Sequence, residues 1–136
     1  ALEIQHYLKR ANEKREKMRM ARWDMRIGIH TGPVIAGVVG ERKFTYDIWG
    51  DAVNVAALIE QGGEPEKVTI SETTFQQVNE AFETEALGEV ASGKKGDLSM
   101  YTVKRLKPEF SEDTDGLKPN DVFDQKFSNL MKVYQT

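Results

Sequence analysis

The chain has 136 residues, enough for the core of one domain, and its 39% hydrophobic and 30% charged content is that of a globular protein. A net charge of −3 supplies no basic field for nucleic acid, and the lack of cysteine excludes disulfides and thiolate metal sites. No apolar run is long enough to span a bilayer and no signal peptide is visible, so a cytoplasmic chain is expected, either free or as the cytoplasmic part of a larger membrane-attached protein.

The chain opens at Ala1, without an initiator methionine and inside a helical pattern, which reads as a cut or processed piece. Ile4, Tyr7, Leu8, Ala11 and Met18 recur near a helical period and predict a first helix packed by that stripe. Seven basic residues and two glutamates lie between Lys9 and Arg22. They read as a solvated helix face, with contact to phosphates or anionic lipid as the functional alternative. Met25 to His30 alternates as a strand does, and Thr31-Gly32-Pro33 breaks it. Val34 to Val39 is apolar and largely β-branched, predicting a buried continuation of the sheet, and Phe44 to Trp49 predicts another strand. Asp51 suits the N-cap of a helix through Glu60 that Gly62-Gly63 ends.

Lys67 to Ile70 predicts a short strand, and Ser71 the cap of a helix with the stripe Phe75, Val78 and Phe82. Phe82 to Val90 and Met100 to Leu106 predict a final strand pair around the turn Gly93-Lys94-Lys95-Gly96-Asp97. Residues 107–120 are polar and rich in Asp, Glu, Gly and Pro, as a linker is. Phe123, Phe127, Leu130 and Tyr134 share one helical face, so residues 121–136 predict an amphipathic helix, capped by Asn120 or Asp121. That helix must bury its face on its own domain or on a partner.

Generic chemistry narrows little. Gly32 to Gly40 lacks both a following Gly-Lys-Ser/Thr and a helix-opening Gly-x-Gly-x-x-Gly, so it is no phosphate loop by those patterns. His30 has only the distant His6 for company, which suits a hydrogen-bonded histidine at a strand end better than a zinc ligand. Asp47 lies between apolar neighbours, where a carboxylate needs donors. It could bond the nearby turn, or it could accept from the amino group of adenine, whereas guanine offers an acceptor oxygen at that position.

The run Arg26-Ile27-Gly28-Ile29-His30-Thr31-Gly32-Pro33-Val34-Ile35-Ala36-Gly37-Val38-Val39-Gly40, followed by Tyr46-Asp47-Ile48-Trp49-Gly50-Asp51-Ala52-Val53-Asn54, resembles the C-terminal half of a class III nucleotidyl cyclase catalytic domain. The resemblance implies an α+β, ferredoxin-like fold: a mixed, mainly antiparallel sheet flanked by helices. It covers residues 1–106, with the linker 107–120 and the helix 121–136 beyond it. It implies conversion of ATP, with GTP as the alternative substrate, to 3′,5′-cyclic nucleotide and pyrophosphate in intracellular signalling. By that pattern Asp47 reads the base, Ile48 and Trp49 flank it, and Asn54 orients the ribose. The family's Val-Asn-x-Ala-x-Arg is here Val53-Asn54-Val55-Ala56-Ala57-Leu58, so leucine stands where an arginine would neutralise the reacting phosphate. Arg42, Lys43 or another cation would have to substitute, or the site is impaired. Gly93-Lys94-Lys95-Gly96-Asp97-Leu98 resembles the family's triphosphate-contacting turn, with Lys94 or Lys95 as the contact.

The same resemblance implies two Mg²⁺ or Mn²⁺ ions in the complete domain, held by two aspartates upstream of the matching region. No metal ligand is expected in this chain, and turnover by the chain alone is not expected. Open sheet edges and shared sites imply a homodimer, with elements exchanged between subunits and the C-terminal helix crossing over. A catalytically silent cyclase-like module, with a regulatory or dimerising role, is the alternative, and Leu58 favours it.

Overall fold

The computed structural model describes residues 1–43, 45–93 and 96–132, the last four of these through their backbone alone. In chain order the elements are α1 (Leu2–Lys17), β1 (Ile27–Ile29), β2 (Ile35–Val39), β3 (Thr45–Trp49), α2 (Asp51–Gly62), β4 (Val68–Ser71), α3 (Glu72–Val78), β5 (Phe82–Ala91), β6 (Asp97–Leu106) and α4 (Asp121–Lys132). Four strands form one sheet in the order β1-β4-β6-β5; β1 runs parallel to β4 and the other neighbours are antiparallel. The α+β architecture with a mixed, mainly antiparallel sheet is therefore as the sequence implies.

The pleat of β4 sorts the helices. Val68 and Ile70 point to one face, where Val103, Leu2 of α1 and Phe75 and Val78 of α3 cover them. The opposite face receives α2, whose Val55 and Ile59 pack on Met100 beside Leu87, Val90 and Leu98. Ala52, Val55 and Ile59 are the buried stripe of α2, at helical spacing. Gly28 lets β1 lie directly on α2: a Cβ there would stand 2.6 Å from the Glu60 Cα and closer still to its amide nitrogen.

Four local expectations are corrected. The buried stripe of α1 is Gln5, Leu8 and Asn12, whereas Ile4, Tyr7 and Met18 are exposed. Polar residues lie inside because their amides satisfy backbone groups: Gln5 Nε2 donates to the carbonyls of Met25 and Lys67, and Asn12 both donates to the Trp23 carbonyl and accepts from the Trp23 amide. Val34 to Val39 does not continue the sheet. Among the described residues it pairs only with β3, as a separate ribbon whose residues are largely exposed. Gly50, at φ +133°, occupies the N-cap of α2 in place of Asp51, since the turn from β3 needs a conformation glycine adopts freely. Phe82 opens β5 rather than extending α3, which ends at Val78.

Ser71 does cap α3, accepting from the Thr74 amide at 3.4 Å. Residues 107–120 contain a single 3-10 turn, Pro108–Phe110, and are tied back to β6 through Leu106 N–H to the Gly116 carbonyl. Asp113 organises the rest, accepting from the amides of Leu117 and Lys118 and from the Ser111 hydroxyl. Asn120 accepts from the Phe123 amide and so caps α4. Phe123 and Phe127 pack edge-on against Phe110, so the described part of the apolar stripe is half-buried on its own chain. Leu130 and Tyr134, expected on the same stripe, lie outside the described side chains.

The Lys118 amide first, then the Ser111 hydroxyl and the Leu117 amide, hold the Asp113 carboxyl down at about 2 from an ordinary 3.8. A depressed carboxylate contributes stability above its unfolded value and loses it as pH falls through the folded one. Asp113→Ala is therefore expected to lower the melting temperature at pH 7, and the gap from wild type should close between pH 4 and pH 2 in thermal melts followed by circular dichroism. A gap that persists unchanged at the acid end would contradict this role.

Candidate active site

The residues of interest gather where β1, the β2–β3 ribbon and the start of α2 meet. The turn after β1 sits on α2: a Cβ on Gly32 would approach the Ala52 Cβ to 3.0 Å. The turn into α2 sits on the entry to β2, with the Gly50 Cβ position 3.4 Å from the Pro33 carbonyl. A polar network braces this corner. His30 Nδ1 and Ser71 Oγ are 2.7 Å apart, Ser71 and Thr31 both reach Thr74 Oγ1, and Thr74 Oγ1 also donates to the Ile29 carbonyl. Ser71 could be read from sequence as a cap; its partnership with His30, forty-one residues away, could not.

Asp47 lies mid-ribbon, opposite Gly37. Its carboxylate is exposed and accepts from the next amide, that of Ile48, at 2.8 Å. The period of two puts Asp47 and Trp49 on one face of the ribbon and Tyr46 and Ile48 on the other. The Trp49 ring lies over Gly37, 3.4 Å from where a Cβ would be. Glycine opposite Asp47 thus leaves a shallow floor, walled by indole on one side and open to a carboxylate on the other. Ile48 turns away from that floor, so its contribution there is its backbone.

Asn54 stands on the first turn of α2, exposed, one residue before the buried Val55. Leu58, one turn on, is half-buried and shares its side of the helix. Arg42 and Lys43 lie beyond the Val39–Thr45 end of the ribbon, and α2 begins at the opposite, Ile35–Trp49 end. Within one chain they are therefore remote from Leu58. The nearest described cation along the β1–α2 contact, Arg26, is paired with Glu60 at 3.1 Å. Lys94 and Lys95 lie outside the described residues; the turn around them is closed by Ser92 N–H to the Gly96 carbonyl, with Gly93 and Gly96 at positive φ.

Asp47 and Asn54 are not joined by an enclosed cavity on the apolar side of the sheet. The cavity there, about 370 Å³, is lined by Leu2, Ile29, Ile70, Phe82 and Phe123 among others, and neither residue borders it. Among the described residues no group of three histidine or carboxylate side chains converges as a cation site. The described residues thus offer no ligand set for the divalent ions that class III cyclase domains generally use.

The sequence profile described as "Adenylate and Guanylate cyclase catalytic domain" matches residues 1–105. The chain is 44% identical over 78 residues to the guanylate cyclase soluble subunit beta-2 of Rattus norvegicus, covering 57% of this chain and 11% of that one. It is 39% identical over 77 residues to an adenylate cyclase of Mycobacterium bovis, covering 57% and 17%. The chain therefore spans less than a fifth of the length of these curated relatives. Among solved structures, the guanylate cyclase domain of RhGC from Catenaria anguillulae, in complex with GTP, is similar at TM-score 0.60 and 31% identity, over 65% of this chain and 49% of that one. The non-canonical dimeric guanylyl cyclase domain of the RhoGC fusion protein from Blastocladiella emersonii is similar at TM-score 0.56 and 27% identity, over 71% and 56%. With its mixed sheet, its flanking helices and the Tyr46-to-Asn54 run at the mouth of α2, the chain belongs to the adenylate and guanylate cyclase catalytic domain family.

Proposed function

We propose that this chain forms the base- and ribose-binding part of a nucleotide cyclase that prefers ATP to GTP. In the reaction the ribose 3′-hydroxyl gives up its proton and attacks the α-phosphorus. The new P–O bond closes the ring, and the bond to the β-phosphate oxygen breaks to release pyrophosphate. The single observation that carries the reading is the ribbon face of Asp47 and Trp49. A carboxylate acceptor beside an indole suits the donor amino group of adenine and repels the guanine oxygen. Asn54, one helical turn away at the start of α2, offers both donors and an acceptor to a ribose. Lys94 or Lys95 serves as the cation on the triphosphate.

A homodimer goes with this reading. The ribbon face turned away from Asp47 exposes Val38, Tyr46 and Ile48 by 63%, 70% and 47%, an apolar surface that a second copy would cover. A complete active site also requires the metal-binding carboxylates, which the described residues do not supply. The isolated chain should accordingly form no cyclic nucleotide from ATP or GTP with Mg²⁺ or Mn²⁺. A protein that joins it to the metal-binding half should make cyclic AMP faster than cyclic GMP. Robust product from the chain alone, or a preference for GTP in the joined protein, would overturn the reading. Leu58 favours a second one, a silent module that binds nucleotide and regulates; binding without turnover in the joined protein would select it.

A further inference from the structure

The end of α1 and its connection to β1 carry a feature that a nucleotide site does not use. Between Lys9 and Arg22 seven cations meet two carboxylates, a net of +5 in a chain whose total is −3. The segment 18–26 doubles back over the last turn of α1. The Met20 amide donates to the Arg15 carbonyl at 2.9 Å, Arg15 Nε donates to the Ala21 carbonyl at 2.6 Å, and the Arg15 guanidinium lies 4.1 Å above the Trp23 ring. Fully buried Asn12 clamps the Trp23 backbone from below. Arg22 is neutralised by Glu16 and Glu66. Lys14, Lys17 and Arg19 are exposed and have no ion-pair partner among the described residues. Among them Met18, Met20 and Trp23 stand 69%, 46% and 57% exposed.

A solvated helix face accounts for the cations but not for three large apolar side chains held outward by a hydrogen-bonded loop. Apolar tips ringed by unpaired cations suit an anionic bilayer surface. Methionine and indole enter the headgroup boundary, where tryptophan keeps its N–H wet, and the cations stay with the phosphates. A soluble polyanion would use the charges and gain little from the methionines. We propose that the Met18–Trp23 loop, with Lys14, Lys17 and Arg19, docks this domain on a membrane surface rich in anionic lipid.

Co-sedimentation of the chain with vesicles tests it. Binding is expected to phosphatidylcholine vesicles containing about one-third phosphatidylserine and not to phosphatidylcholine alone, and it should weaken with salt. Lys14→Gln, Lys17→Gln and Arg19→Asn together should weaken it on the order of a hundredfold. Asparagine suits the φ of +58° at position 19, so the variant should fold, as circular dichroism would verify. Met18→Ser with Met20→Ser, which changes no charge, should weaken it about tenfold. Equal binding to both vesicle types, or no binding to either, would overturn the proposal. So would indifference to the methionine pair, or retention on heparin without any vesicle binding, which would give the patch to a soluble polyanion.

Discussion

Gly28→Ala is expected to destabilise the chain by about 3 kcal/mol or more, at the upper end of overpacking effects. In thermal melts that is a fall on the order of 10 °C. The added methyl would meet backbone, not a side chain that could turn aside: the Glu60 Cα at 2.6 Å and the Glu60 amide nitrogen. That nitrogen belongs to the α2 hydrogen-bond ladder, so relief has to come from moving β1 off the helix. Ile27 and Ile29 are registered against Val68 and Ile70, and the Thr31-Gly32-Pro33 turn rests on the first turn of α2. Shifting β1 therefore disturbs the sheet and the mouth of the candidate site together. Gly37→Ala is the control, because its methyl would meet only the Trp49 ring at 3.4 Å on an exposed ribbon; a change under about 1 kcal/mol is expected there. Similar melting temperatures for Gly28→Ala and wild type would contradict the close contact of β1 with α2.

The second large effect concerns Leu58. In a cyclase that joins this chain to a metal-binding half, Leu58→Arg should raise kcat by about 10²–10³, the usual worth of one preorganised donor to a transition state, ~3–4 kcal/mol. KM should change far less, since the gain arises as charge develops on the phosphorus. Leu58 is half-buried on the same side of α2 as exposed Asn54, so an arginine there can reach solvent and the substrate without entering the core. Arg42 and Lys43 lie past the far end of the ribbon, so neither duplicates the effect within one chain. If Leu58→Arg leaves kcat unchanged in a protein that already turns over, another subunit supplies the charge, and the impairment assigned to Leu58 is wrong.

The local grammar of the chain was legible where a single short-range rule decides. Ser71 caps α3, Gly62 and Gly63 end α2, and Asn120 caps α4, because each satisfies backbone groups within one turn. The family run from Arg26 to Asn54 singled out Asp47 and Asn54, which lie on β3 and on the first turn of α2. What escaped was tertiary. Gln5 and Asn12 look like surface residues until the carbonyls of Met25, Lys67 and Trp23 arrive to bond them. A β-branched run such as Val34 to Val39 reads the same whether it is buried in a sheet or left exposed on a ribbon. The closeness of Gly28 to Glu60 and of His30 to Ser71 depends on how β1 crosses α2 and α3, which no local pattern encodes.

The account stands on Asp47 as the reader of the purine. The most direct measurement is the ratio of affinities for non-reacting ATP and GTP analogues in the joined protein, before and after Asp47→Ala; it serves an active enzyme and a silent module alike. The predicted result is tighter ATP binding in the wild type and a ratio reduced about 10–100-fold in the variant, the worth of one hydrogen bond to a charged group. An unchanged ratio in a folded variant would contradict the account.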